Sequence, residues 1–361
     1  MTEQSDPHRG TRILVIAAAL AIITGGIHQA QSVLEWFLVA VFLAAIGTPS
    51  VLWLERKSIP YAVAVFLVVA GMAAILMVVG LLVGTSLNSF YNDFPLYQTR
   101  LQTHVSSLQT FLANKGITFT DSFLVDQVKP EAVKRLIAGL LRGFGSVLFE
   151  IVLILLTVTF IFLEASSFPV KLRAILGDPQ KDFHPFMNFI YDINRYMVIK
   201  TVISLIVGAL IGIWLFVLDV DFPILWGFLA FLLHYVPNIG ALIAAVPAVF
   251  LALIQLGIGH AALAASGYLA VDFILGNIIE PRLMGRRLGL STLVVILSLI
   301  FWGGLLGLIG VVLCIPLTMT LKFACENNKN TQWIAVLLGP EMSPAQVPPE
   351  LKKGTDPVTP K

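Results

Sequence analysis

The sequence predicts an all-α, polytopic membrane protein with about eight apolar helical elements, two of them folded as re-entrant hairpins of opposite orientation. Three observations lead there. Of the 361 residues, 57% are hydrophobic and only 12% charged, about half the charged fraction of a soluble domain. Apolar runs recur along the chain, and several reach the roughly 20 residues that a spanning helix needs. Two of the runs are interrupted by Gly, Pro and Asn, residues that a continuous helix does not favour.

Residues 1–12 read as a cytoplasmic N-terminus. The run 13–27 follows Arg9 and Arg12 in the manner of a secretory signal, but HQAQS after it is a poor cleavage site and another apolar run follows, so a retained helix is expected. Together with the runs 33–54 and 61–84 it makes an N-terminal transmembrane region over 13–84. Residues 85–135 form an exterior segment with Leu101, Val105, Leu108 and Leu112 at helical spacing. A transmembrane core is expected over 136–338. Within it, Phe183, Phe186, Met187, Ile190 and Met197 share one face of a cytoplasmic stretch. Each amphipathic segment is suited to lying on the bilayer, docking on a neighbouring subunit or packing on its own bundle. The tail 339–361 carries six prolines in 23 residues and reads as disordered and cytoplasmic.

Orientation follows from the basic residues, because short loops rich in Lys and Arg stay in the cytoplasm. With the N-terminus inside, the inner segments 1–12, 49–60, 164–196 and 280–291 hold eleven Lys and Arg, against five outside, all in 85–135. The C-terminus then also lies inside.

The first hairpin, 222–257, turns at Pro237-Asn238-Ile239-Gly240. The second, 292–323, contains FWGGLLGLIG at its middle. Ile239-Gly240 leads to Pro247 as Ile309-Gly310 leads to Pro316. Paired, interrupted segments of opposite direction are a signature of transporters whose broken helices offer backbone groups to a polar solute near the bilayer midplane. Pro and Gly also serve as kinks and close-packing points in membrane helices, and for Pro247 and Pro316 both readings stay open.

Ionisable residues in apolar runs are candidate pathway groups, since burying them in lipid is costly. Asp272 lies within AALAASGYLAVDFILGNII, and Gly276 and Glu280 follow on the same α-helical face, with Asn277 beside them. Lys200, near the start of its run, is expected to snorkel to the interface. His234, just before the first break, titrates in the physiological range when unperturbed or serves as an interior donor. Arg142 and Glu150 share a face. The net charge of +2 gives no reason to expect a nucleic-acid partner, and the two cysteines, Cys314 and Cys325, form no metal-site or disulfide pattern. Protease, hydrolase, phosphate-loop and redox motifs are absent, so neither an enzyme nor a cofactor is expected.

Several motifs together resemble a known family. They are Tyr196-x-x-x-Lys200-Thr201-x-x-Ser204, Trp226-Gly227, Tyr235-Val236-Pro237-Asn238-Ile239-Gly240, and Gly276-Asn277-Ile278-Ile279-Glu280-Pro281-Arg282-Leu283-Met284-Gly285-Arg286. Leu288-Gly289-Leu290-Ser291-Thr292 and Phe301-Trp302-Gly303 complete the set. Over about 13–338 they look like the autoinducer-2 exporter family of bacterial inner-membrane transporters. The resemblance implies export of a small polar solute, the quorum-sensing furanone autoinducer-2, by a homo-oligomer, since family members are described as pentamers. It departs from the family in three places: Asp272 and His234 stand where an amide is expected, and Leu275 stands where many relatives carry an acid.

The resulting expectation is a secondary transporter in which Pro237, Asn238 and Gly240 open the backbone and Asn277 hydrogen-bonds solute. Asp272 or Glu280 carries a coupling proton or cation, Arg282 borders the pathway, and Lys200 and His234 are accessory. The alternatives are a monovalent cation/proton antiporter, with Asp272 and Glu280 binding the cation, and a non-transporting membrane scaffold or regulator that uses 85–135 as its contact surface.

Overall fold

The structure, a computed structural model, describes residues 24–113, 150–165, 183–237, 239–284, 290–326 and 331–339, with positions 18, 19, 22, 139, 167 and 171 in addition. Every regular element among them is helical. The expectations for the rest of 114–149, including Arg142, and for the tail beyond Gly339 lie outside the described residues.

The chain opens with α1 (Gln31–Arg56) and α2 (Tyr61–Ala113). At about 1.5 Å per residue, the 53 residues of α2 run for roughly 80 Å, far beyond the roughly 30 Å of a bilayer's hydrocarbon. The apolar run and the amphipathic segment after it are therefore one helix. Helix α3 (150–165) packs with α1 and α2 around Ala40, Ala44, Val65, Val158 and Phe162. Gly47 makes that approach possible, because a Cβ there would lie 2.6 Å from Met72 Cε and 2.9 Å from Phe162 Cζ.

Helix α4 (Phe183–Val217) joins the amphipathic stretch and the next span without a break. It turns back through residues 218–222 into α5 (Pro223–Leu233). These two helices touch backbone to backbone: a Cβ on Gly208 would lie 2.7 Å from Gly227 O, and one on Gly227 equally close to Gly208 O. Small residues at such a crossing permit the dispersion contact that drives helix association in lipid.

The turn itself is strained, with Asp219 at φ 56° and Phe222 at φ 61°, and its neighbours hold it in place. Gln255 accepts from the Asp221 amide and donates to Asp219 O, both at 3.0 Å, and Trp226 Nε1 donates to Asp221 O. Tyr97 of α2 donates to the Asp221 carboxylate at 2.5 Å.

Helices α5 and α6 (Gly240–Leu256) are the arms of the expected first hairpin. Their 11 and 17 residues amount to roughly 16 and 25 Å, against the roughly 30 Å of a bilayer's hydrocarbon. Pro247 lies inside α6 and does not interrupt it. Helix α7 (Ile258–Met284) returns antiparallel, and its stretch Asp272–Ile279 is a π-helix.

The described residues form two compact units that divide after Leu283. In the second, α8 (Thr292–Val312) begins at Ser291, whose hydroxyl caps the Val294 amide. It breaks at Leu306 and Gly307, where Gly307 takes φ 56°. That break is the turn of the expected second hairpin. The return arm continues through α9 (Cys314–Glu326), with Pro316 near its start. Trp302 Nε1 donates to Thr318 Oγ1 at 3.0 Å and ties the arms together. A short α10 (Gln332–Leu338) closes the unit through Leu338 O, which accepts from the Ser291 amide.

Both turns use the same device. A Cβ on Gly240 would run into the carbonyl of Leu233, and one on Gly310 into the carbonyl of Trp302. The echo of the two Ile-Gly pairs in the sequence is thus a shared steric need.

Candidate functional site

Three elements of the first unit bring ionisable side chains together. Lys200 projects from α4, His234 from the turn after α5, and Glu280 from the point where α7 leaves its π-helical stretch. Lys200 Nζ donates to Glu280 Oε1 at 2.7 Å. His234 Nε2 lies 3.2 Å from Glu280 Oε2, off the direction of an ideal hydrogen bond. The side chains of Lys200 and His234 are only 6% and 5% exposed and that of Glu280 15%, so little solvent screens the cluster. The expectation that Lys200 snorkels to the interface is corrected: its ammonium turns inward to a carboxylate 80 residues away in sequence.

Each partner is positioned by its backbone. Lys200 stands one residue before Thr201, whose hydroxyl bonds back to Met197 O and accepts from Tyr235 at 2.8 Å. That bond, with the edge-on contact of Phe42 and Tyr235 at 5.7 Å, fixes the residue next to His234. His234 lies where α5 unwinds, its amide still bonded to Ala230 O. Glu280 donates its amide to Leu275 O, the wide i to i−5 bond of a π turn. Such widened turns concentrate at functional sites because they displace side chains from the α-helical register.

Asp272 and Gly276 follow the same side. A Cβ on Gly276 would lie 3.2 Å from Asp272 Oδ1 and 3.7 Å from His234 Cε1. Glycine there lets carboxylate and imidazole approach across the bare backbone. Asp272 is half-buried and, among the described residues, forms no ion pair or hydrogen bond.

The other expected residues are distributed unevenly. Pro237 and Gly240 form the turn, where Gly240 donates its amide to Val236 O at 3.2 Å. Asn238 lies outside the described residues. Asn277 and Arg282 are exposed and join no interaction of the cluster. Two residues not expected from the sequence are buried hydroxyls without a partner among the described residues: Ser204, one turn beyond Lys200, and Tyr268, one turn before Asp272. The i+4 spacing to a charged residue was a visible signal for both. Among the described residues no group of His, Cys, Asp and Glu is suited to a metal ion.

A polytopic helical bundle with a broken hairpin turn beside a buried Lys–Glu pair is an architecture that membrane transporters use. Over residues 14–330 the chain matches the model of the AI-2E family transporters, and it belongs to that family. It is 38% identical over 331 residues to the AI-2 transport protein TqsA of Escherichia coli K12, covering 91% of this chain and 96% of that one. It is 35% identical over 340 residues to YhhT of the same organism, covering 94% and 97%. A Haemophilus influenzae relative is 34% identical over 334 residues, covering 91% and 96%. The family and these names point to a transporter of a bacterial membrane and not to an enzyme.

Proposed function

We propose that the protein is a secondary transporter that exports autoinducer-2, or a closely similar small polar signal, across the bacterial inner membrane, with both termini in the cytoplasm. The observation that carries transport is the buried Lys200–Glu280–His234 cluster against the broken turn at Pro237–Gly240. Irregular backbone and buried charge persist at membrane depth where they line a polar route. The solute is suggested by the AI-2 transport protein of E. coli. Ser204 and Tyr268, one turn from Lys200 and Asp272 in sequence, carry buried hydroxyls without a partner among the described residues, a chemistry suited to a hydroxyl-bearing solute. The driving force is an ion gradient, and a homo-oligomer is the working assembly.

The test is the distribution of autoinducer-2 in a strain lacking this gene, with and without expression from a plasmid. Expression should lower the internal pool and raise the external one at unchanged synthesis. If the protein inserts in the membrane and neither pool moves, autoinducer-2 is not its solute.

One observation favours a second reading, monovalent cation/proton antiport: among the described residues Asp272 pairs with no lysine or arginine and is therefore available to a cation. Under that reading, addition of sodium or lithium to everted vesicles collapses their proton gradient.

A further inference from the structure

Helix α2 is longer than a crossing requires. From Tyr61 to Phe94 alone it runs for roughly 50 Å, against the roughly 30 Å of a bilayer's hydrocarbon, so the stretch beyond Phe94 is not needed to span. Pro95 opens that stretch from inside the helix. It donates no amide to Tyr91 O and its ring crowds that carbonyl, which weakens α2 at this one turn. Phe90, Phe94, Tyr97 and Leu101 recur at helical spacing and turn toward the bundle, whereas Pro95 is exposed.

Beyond Pro95, α2 is fastened to the α4–α5 turn. Tyr97 donates to the Asp221 carboxylate at 2.5 Å, a short bond of the charge-assisted kind. Phe90 and Tyr97 stand edge-on to Phe222, with ring centroids at 5.5 and 6.5 Å, and Phe90 meets Trp226 at 5.9 Å. The turn underneath is the strained one. Asp219 and Phe222 are two of the three non-glycine residues at positive φ among the described residues. Such backbone persists only where its neighbours over-determine it, and it gathers at switch regions. Gln255 and Trp226 hold the main chain of this turn, while Phe90 and Tyr97 hold its side chains. Helices α4 and α5 themselves meet backbone to backbone at Gly208 and Gly227, which leaves them no room to slide past each other. The end of α2 is the piece free to let go.

We infer that the part of α2 beyond Pro95 is a movable strap over the α4–α5 turn: Pro95 is its hinge, the Tyr97–Asp221 bond is its latch, and release of the latch is a step of transport. Only that last clause rests on the transport reading. The strap covers the end of the bundle remote from the Lys200–Glu280 pair, roughly 27 Å along α4 from Lys200. Its release withdraws two rings and a hydrogen bond from strained backbone at the start of α5. In this way it reaches the hairpin that carries His234 and the Pro237–Gly240 turn.

Pulsed electron spin resonance on the full-length protein in lipid nanodiscs, without any solute, reads the strap directly. Spin labels are placed at two exposed positions through Gln102→Cys and His260→Cys, in a variant without Cys314 and Cys325. One distance should dominate. Tyr97→Phe keeps the ring, loses the hydrogen bond and should add a second, longer distance. Asp221→Ala breaks the same bond from the other partner and should add the same one. Pro95→Ala restores the missing amide and should remove the second distance from the Tyr97→Phe protein. A single unchanged distance in both Tyr97→Phe and Asp221→Ala overturns the latch, and a second distance that survives Pro95→Ala overturns the hinge.

A metal clamp supplies the functional arm. In Tyr97→His/Asp221→His, zinc should bridge the two imidazoles and bring the release of autoinducer-2 from proteoliposomes down to that of protein-free vesicles, with a chelator restoring it. Each single variant should be indifferent to zinc. Undiminished release from the clamped protein shows that the latch stays shut during transport and overturns its role. If the second distance appears and the unclamped wild type releases no autoinducer-2, the strap stands and the solute assignment fails.

Discussion

The strongest local commitment is the ion pair of Lys200 and Glu280. Removing one member of a buried pair leaves a charge without compensation, at a cost of about 3–5 kcal/mol. Lys200→Met should therefore lower thermal stability in detergent severely, and adding Glu280→Gln should restore a large part of it. Equal destabilisation by single and double variants would show that the two side chains are not coupled. The sequence makes Glu280, Asp272 and His234 visible as ionisable residues in apolar surroundings. It does not reveal the partner of Glu280, because Lys200 stands near the start of its apolar run, where an extended side chain ordinarily finds water. Only the meeting of α4 with the end of α7 turns it inward. Asn277, expected from the sequence to hydrogen-bond the solute, is exposed on the π-helical stretch.

Elements were more legible than contacts. Hydropathy and breaker residues locate the helices and both hairpin turns, since a span needs length and a turn needs Gly or Pro. The π-helical stretch has no comparable signature: its extra residue per turn reflects the packing of α7 on α4 and the α5 turn. At this scale the glycine crossing gives a sharp test. Gly208→Val would thrust a side chain against Gly227 O and Phe231 Cβ, both 2.7 Å from the position of its Cβ. Overpacking of this kind costs about 1–3 kcal/mol or more, and disulfide trapping between α4 and α5 should weaken with it. At the turn of residues 218–222, Gln255→Ala removes two hydrogen bonds that hold positive-φ backbone, for a loss of about 1–3 kcal/mol. Gly240→Ala should be worse tolerated than Gly71→Ala, because only the first meets backbone, and expression of folded protein from each variant measures the difference.

The whole molecule is oriented by its charges. With eleven basic residues in the segments proposed as inner against five in those proposed as outer, the proposed orientation has the α1–α2 turn in the cytoplasm and the α6–α7 turn outside. In a variant without Cys314 and Cys325, Ser58→Cys should react with an impermeant thiol reagent only from the inner face. His260→Cys should react only from the outer face. Reversed labelling would invert the molecule and with it the direction of transport. The family match covers 14–330, and the motifs that carry the resemblance lie within it, from Tyr196 in α4 to Gly303 in α8. The proposed solute rests on that resemblance alone, because a cluster of charges specifies polarity and not a particular solute.

The most direct measurement is flux through the purified protein itself. Proteoliposomes containing the wild type, loaded with autoinducer-2 and diluted into solute-free buffer under an imposed proton gradient, should release it many times faster than protein-free vesicles. The Lys200→Met/Glu280→Gln variant, folded but without its charge pair, should fall close to the background. Release no faster than from empty vesicles, by correctly folded wild-type protein under either gradient polarity, would contradict transport of autoinducer-2 by this chain.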